Sequence, residues 1–85
     1  MPEISRFYGI IIRMFHSEHN PPHFHVEYGK YNAAISISTG GLMSGELPPR
    51  IFGMVAEWTA LHRKELLEDW TKAENQKPLD KIAPL

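Results

Sequence analysis

Residues 23–38, HFHVEYGKYNAAISIS, constrain the fold of this chain more than any other stretch. Side chains alternate across a strand, so Phe24, Val26 and Tyr28 share one face while His23, His25 and Glu27 share the other. Gly29-Lys30 then reads as a two-residue hairpin loop, with glycine where a type II′ turn requires positive φ. Pairing Tyr28 with Tyr31 sets Val26 opposite Ala33 and Phe24 opposite Ile35, all apolar. On the reverse side Glu27 meets Asn32, His25 meets Ala34 and His23 meets Ser36. Both faces agree on this register, and a slip of one residue would invert every side chain.

The flanking segments follow from that hairpin. Residues 9–16, GIIIRMFH, are β-branched and apolar, as a preceding strand requires. Residues 17–22, SEHNPP, are turn chemistry, because proline cannot continue a ladder. Gly40-Gly41 turns the chain into a short strand near residues 42–45. Pro48-Pro49 opens a helix that runs to about residue 75, with Pro78 beyond it as a stop. Ile51, Val55, Trp58, His62, Leu66, Trp70 and Ala73 recur at spacings of three and four, one stripe of an amphipathic helix. Arg63, Lys64 and Glu68 fall off the stripe. The tail, residues 76–85, keeps Leu79, Ile82 and Leu85 apolar and is expected to clip back onto the body. Ser5, Arg6, Phe7 and Tyr8 read as an arm pinned to the core by Phe7 and Tyr8. The expected fold is α+β: a three- to four-stranded antiparallel β-meander within residues 9–45, packed by one long C-terminal α-helix over about 49–75. The 85 residues leave no room for a second core, so a single domain over 1–85 is expected.

Several function classes are disfavoured at once. Nine basic against ten acidic residues give a formal net charge of -1, which is no footprint for general nucleic-acid binding. The absence of cysteine excludes disulfides, thiolate metal ligands and cysteine nucleophiles. It also suits a reducing cytosol. The stretch MPEISRFYGIIIRMF lacks the pattern of a signal peptide, and Arg13 interrupts an apolar run too short to span a bilayer. A cytoplasmic protein with no membrane association is expected.

Four of the five histidines, His16, His19, His23 and His25, fall within ten residues. Imidazole exchanges protons near neutral pH and ligates metals when neutral. His23 and His25 leave one strand face about 7 Å apart. With His16 and His19 from the preceding segment they form a candidate site for Zn²⁺ or Ni²⁺. A second reading uses Arg13, which lands beside His23 and His25 if Ile10, Ile12 and Met14 enter the core. Two histidines and a guanidinium supply the base, the acid and the phosphate clamp of phosphodiester cleavage, so His23, His25 and Arg13 are the candidate catalytic residues. Phe15, able to stack on a base, with Glu27 and Ser36 completes the candidate binding set. The plainer readings are a solvated polar strand face and an Arg13–Glu27 ion pair.

His62, at the centre of the helix stripe, reads as a buried neutral histidine with one hydrogen-bond partner. Glu65 and Asp69 lie near enough to partner it. A sharper alternative joins His62, Glu65 and His16 in a metal or catalytic site. Trp58 and Trp70 read as core.

Taken together, the motifs resemble a known family. Ile4-Ser5-Arg6-Phe7-Tyr8-Gly9, the run Pro21-Pro22-His23-Phe24-His25-Val26-Glu27-Tyr28, Glu57-Trp58 with Leu61-His62 and Glu65-Leu66, and Ile82-x-Pro84-Leu85 are similar to the short bacterial domain of unknown function numbered four-one-six-zero. The resemblance covers nearly the whole chain, and Pro-Pro-His-Phe-His is its signature. It implies a bacterial or archaeal cytoplasmic protein, often encoded beside another small protein in a toxin–antitoxin-like pair. From that follows an expected small protein partner or homo-oligomer, and a ribonuclease-like or regulatory role with RNA as substrate.

Overall fold

The computed structural model describes residues 2–85 and closes the hairpin in the expected register. Strand β3 (His23–Tyr28) pairs antiparallel with β4 (Tyr31–Ser36), Tyr28 against Tyr31, Val26 against Ala33 and Phe24 against Ile35. Gly29 sits at φ 56 while Lys30 stays out of the left-handed region, as a type II′ loop requires.

The sheet has five strands in sequential order, one more than expected. Strand β1 (Glu3–Phe7) replaces the pinned arm, and β2 is shorter than read, at Ile10–Arg13. The cause is the loop between them. Tyr8 and Gly9 both take positive φ, 51 and 80, and join Phe7 to Ile10 as a two-residue turn of type I′ character. Gly9 is therefore a turn residue rather than the start of a strand. Strand β5 (Leu42–Gly45) closes the other edge of the sheet and is exposed throughout.

Helix α1 (Pro49–Glu74) starts on two prolines and carries no side-chain cap at Pro48. Its buried residues are Ile51, Val55, Trp58, Leu66, Trp70 and Ala73 of the expected stripe, joined by Thr59 and Asp69. The helical geometry breaks at His62, where φ is -123 and ψ is 22. Arg63, off the stripe, spans from the next position to the carbonyl of Ile37 at 2.8 Å. Against α1 the sheet presents Ile10, Ile12, Met14, Phe24, Val26, Ile35 and Ile37, all essentially fully buried. Trp58 fills the centre, its ring 5.5 Å from Phe7 and 5.7 Å from Phe24.

The tail clips back as expected. Ile82 is buried, and its N–H donates to the Ile4 carbonyl at 2.7 Å. Asp80 donates its backbone N–H to Asp69 Oδ1 at 2.9 Å and pairs its carboxylate with Lys72. Asp69 is buried with Oδ2 unpartnered, and that burial pushes its carboxyl above the usual aspartate range. No helix among the described residues is long and apolar enough to cross a membrane.

Candidate functional site

The head of β3 is where polar chemistry converges. His23 opens the strand and His25 follows on the same side, their rings 5.3 Å apart. The 17–22 turn folds back over them and delivers Glu18. Its Oε1 bonds His25 Nε2 and stands 3.6 Å from His23 Nε2. One ligand atom from each of Glu18, His23 and His25 falls within 4.8 Å of the others, the one such group among the described residues.

Backbone contacts fix how His23 presents itself. Its Nδ1 lies 2.8 Å from the Pro21 carbonyl. A carbonyl only accepts, so Nδ1 carries the proton and the neutral ring holds its lone pair on Nε2, toward Glu18. Orientation of one imidazole nitrogen by a backbone carbonyl is the usual outer support of a metal-binding histidine. Aromatic walls complete the setting: Trp70 lies 5.3 Å from the His23 ring, and Phe15 stands edge-on to His25 at 4.7 Å. His23 is 8% exposed, so the expectation of a wholly outward His23–His25–Glu27 face is corrected at its first member. The reason is length. A helix of 26 residues runs about twice as far as a six-residue strand, so the last turns of α1 bring Trp70 to the head of β3.

The remaining candidates are distributed as follows. Arg13 is the direct cross-strand neighbour of His25, but its Nε donates to Glu27 Oε2 at 2.9 Å. That is the plain ion pair anticipated from the strand faces. Ser36 is buried opposite His23, with its Oγ engaged by Ser38 Oγ and the Thr39 N–H in the following turn. His16 turns away, its Nε2 3.0 Å from the Lys77 carbonyl. His19 is exposed and outside the Glu18 group. His62 bonds Glu65 Oε1 through Nδ1 at 2.6 Å and lies 5.6 Å from the Trp58 ring, and His16 does not join them.

Glu18 was not among the residues singled out from sequence. Its position in a polar turn has no periodicity to betray it. The available signal was its being the single acid within the histidine-rich segment. Beside this cluster, on the sheet face that α1 leaves open, Phe15, His25, Glu27, Asn32 and Ser44 surround a shallow concavity of about 250 Å³.

A family model described as a domain of unknown function, DUF4160, matches residues 9–71. No curated protein and no solved structure matches the chain.

Proposed function

The chain belongs to the DUF4160 family, a domain of unknown function, and on that premise we propose that it binds a divalent transition metal through Glu18, His23 and His25. One observation carries the reading: His23 Nε2, held toward Glu18 Oε1 at 3.6 Å by the Pro21 carbonyl behind it. Two ligands each about 2.1 Å from a tetrahedral metal stand roughly 3.4 Å apart, which the His23–Glu18 pair already matches, while His25 and Glu18, now directly hydrogen-bonded, would move apart to admit the ion. Two imidazoles and one carboxylate suit Zn²⁺ or Ni²⁺ and leave coordination positions open. The set differs from four histidines. Glu18 enters, while His16 and His19 stay out.

Calorimetric titration of the untagged chain with Zn²⁺ and with Ni²⁺ tests this. The expected result is one ion per chain, with at least about a tenfold loss of affinity in each of Glu18→Ala, His23→Ala and His25→Ala. His16→Ala and His19→Ala retain wild-type affinity. No binding tighter than about 10 μM at neutral pH, far below structural-zinc strength, would sink the proposal.

A second reading keeps the toxin–antitoxin-like pair, with His23, His25 and Arg13 binding or cleaving RNA. Its support is the family resemblance and the Arg13–His25 cross-strand contact. The Arg13–Glu27 pair and the net charge of -1 weigh against a phosphate clamp there. Growth on induced expression, with and without the neighbouring gene, separates it from a metal-binding role. The third reading, an interaction domain alone, rests on the open edge of β5.

A further inference from the structure

The C-terminal end of α1 reaches the turn that carries Glu18. The helix finishes in a Schellman motif, with the Gln76 N–H donating to the Ala73 carbonyl at 3.2 Å and the Lys77 N–H to the Lys72 carbonyl at 2.8 Å. The residue at the place of Gln76 must enter the left-handed region, and glycine is usual there. Gln76 holds φ at 57 with a full side chain. That side chain donates through Nε2 to Ser17 Oγ at 2.9 Å, across 59 positions of sequence. Ser17 is itself at φ 64. Two residues in a conformation that disfavours side chains therefore meet side chain to side chain, one position before Glu18. Residues kept in such conformations concentrate at binding sites.

Among the described residues, two side-chain hydrogen bonds tie residues 17–20 to the rest of the chain: Glu18 to His25, and Gln76 to Ser17. An ion seated between Glu18 and His25 takes the place of the first. The second then remains as the tether, directly beside the ligand. His16, against the Lys77 carbonyl, anchors the chain before the turn begins, so its loss leaves the tether in place. The same end of α1 sets Trp70 against the His23 ring. One helix end thus backs both His23 and the turn that delivers Glu18.

We propose that Gln76 is a positioning residue of the metal site: through Ser17 it keeps Glu18 within reach of the ion once the Glu18–His25 bond has opened. The proposal rests on the metal reading above and adds to it a residue that ligates nothing.

Calorimetric titration with Zn²⁺ tests it on the full untagged chain, on Gln76→Gly, on Ser17→Ala and on the double variant, with the thermal midpoint of each measured without metal. Gln76→Gly and Ser17→Ala should each weaken Zn²⁺ binding by about two- to tenfold, the range one hydrogen bond is worth. The double variant should lose no more than the larger single loss, because both changes remove the same bond. Gln76→Gly should hold or raise the metal-free midpoint, since glycine suits the end of the helix better. A merely structural role would instead lower midpoint and affinity together. If the wild type itself fails to bind Zn²⁺, the metal reading falls and this proposal with it. If Glu18→Ala loses affinity while Gln76→Gly and Ser17→Ala stay within about twofold of wild type, the metal reading stands and the positioning role is overturned. Additive losses in the double variant overturn it as well.

Discussion

Trp58 donates its indole N–H to the carbonyl of Ala83 at 2.9 Å, tying the middle of α1 to the tail 25 residues further along. A buried indole needs a partner for its one polar atom, and the tail supplies it. The neighbouring Ile82 occupies the core and bonds the backbone of β1 at Ile4. The tail is therefore part of the body, and its apolar anchor carries stability. Ile82→Ala is expected to cost about 2–5 kcal/mol, the usual range for a buried isoleucine truncated to alanine. Urea unfolding followed by tryptophan fluorescence measures it, and a loss below about 1 kcal/mol would mean the tail adds little.

Metal binding at Glu18, His23 and His25 should appear as stability. An ion at about a hundredfold excess over its dissociation constant adds about 2.7 kcal/mol when only the folded state binds. The thermal midpoint should rise with Zn²⁺ and fall back on chelation. Glu18→Ala should abolish the response and His16→Ala should leave it intact, whatever the midpoint of each variant without metal.

Asp69 contributes a pH dependence with a definite sign. Burial raises its folded pKa above the ordinary 3.8, despite the Asp80 N–H that favours the charged form. The unfolded chain therefore gives up this proton first. The contribution of Asp69 to stability is fully present below the unfolded value and is lost as pH rises through the folded one. Asp69→Asn keeps an oxygen for the Asp80 N–H and removes the titration. The stability of the wild type relative to this variant should decline as pH rises from the unfolded value. Parallel stability curves for the two proteins across that range would refute the assignment.

Gly45 permits the close pairing of the end of β5 with β4, where it stands opposite Ala33. Its φ is 77, and a Cβ at this position would lie 2.1 Å from the Asn32 carbonyl oxygen and 2.9 Å from Ala33 Cα. Both neighbours are backbone and cannot swing aside. Gly45→Ala should destabilise the fold by more than about 1 kcal/mol, the ordinary scale of an incompatible glycine replacement. The amides of the β4–β5 ladder should exchange faster in deuterated solvent. Gly53→Ala, with open space around its Cβ in the helix, should be neutral or stabilising.

Legibility varied with how local each signal was. The β3–β4 register was readable because both faces of one hairpin must agree with one loop. β5 was readable from Gly40-Gly41. β1 was hidden because its turn uses tyrosine where turn rules look for Asn or Gly, so Phe7 and Tyr8 read as anchors rather than as strand end and loop. His62 showed its partner Glu65, but it is only half-buried instead of lying in the core as its place on the stripe predicted, and nothing in the helical spacing announced the departure from helical geometry at that residue.

The sequence by itself determined the α+β architecture, the hairpin register and the helix stripe, because each is set by a repeating pattern within a single element or a pair joined by a tight loop. Only the tertiary structure decided which polar residues meet. Nothing periodic links Glu18 in a turn, His23 and His25 on a strand, and Trp70 near the end of a helix. They come together because the turn folds back over the head of β3 and α1 outruns the sheet. The same packing pairs Arg13 with Glu27 and turns His16 to the Lys77 carbonyl, leaving two of the four clustered histidines beside a carboxylate.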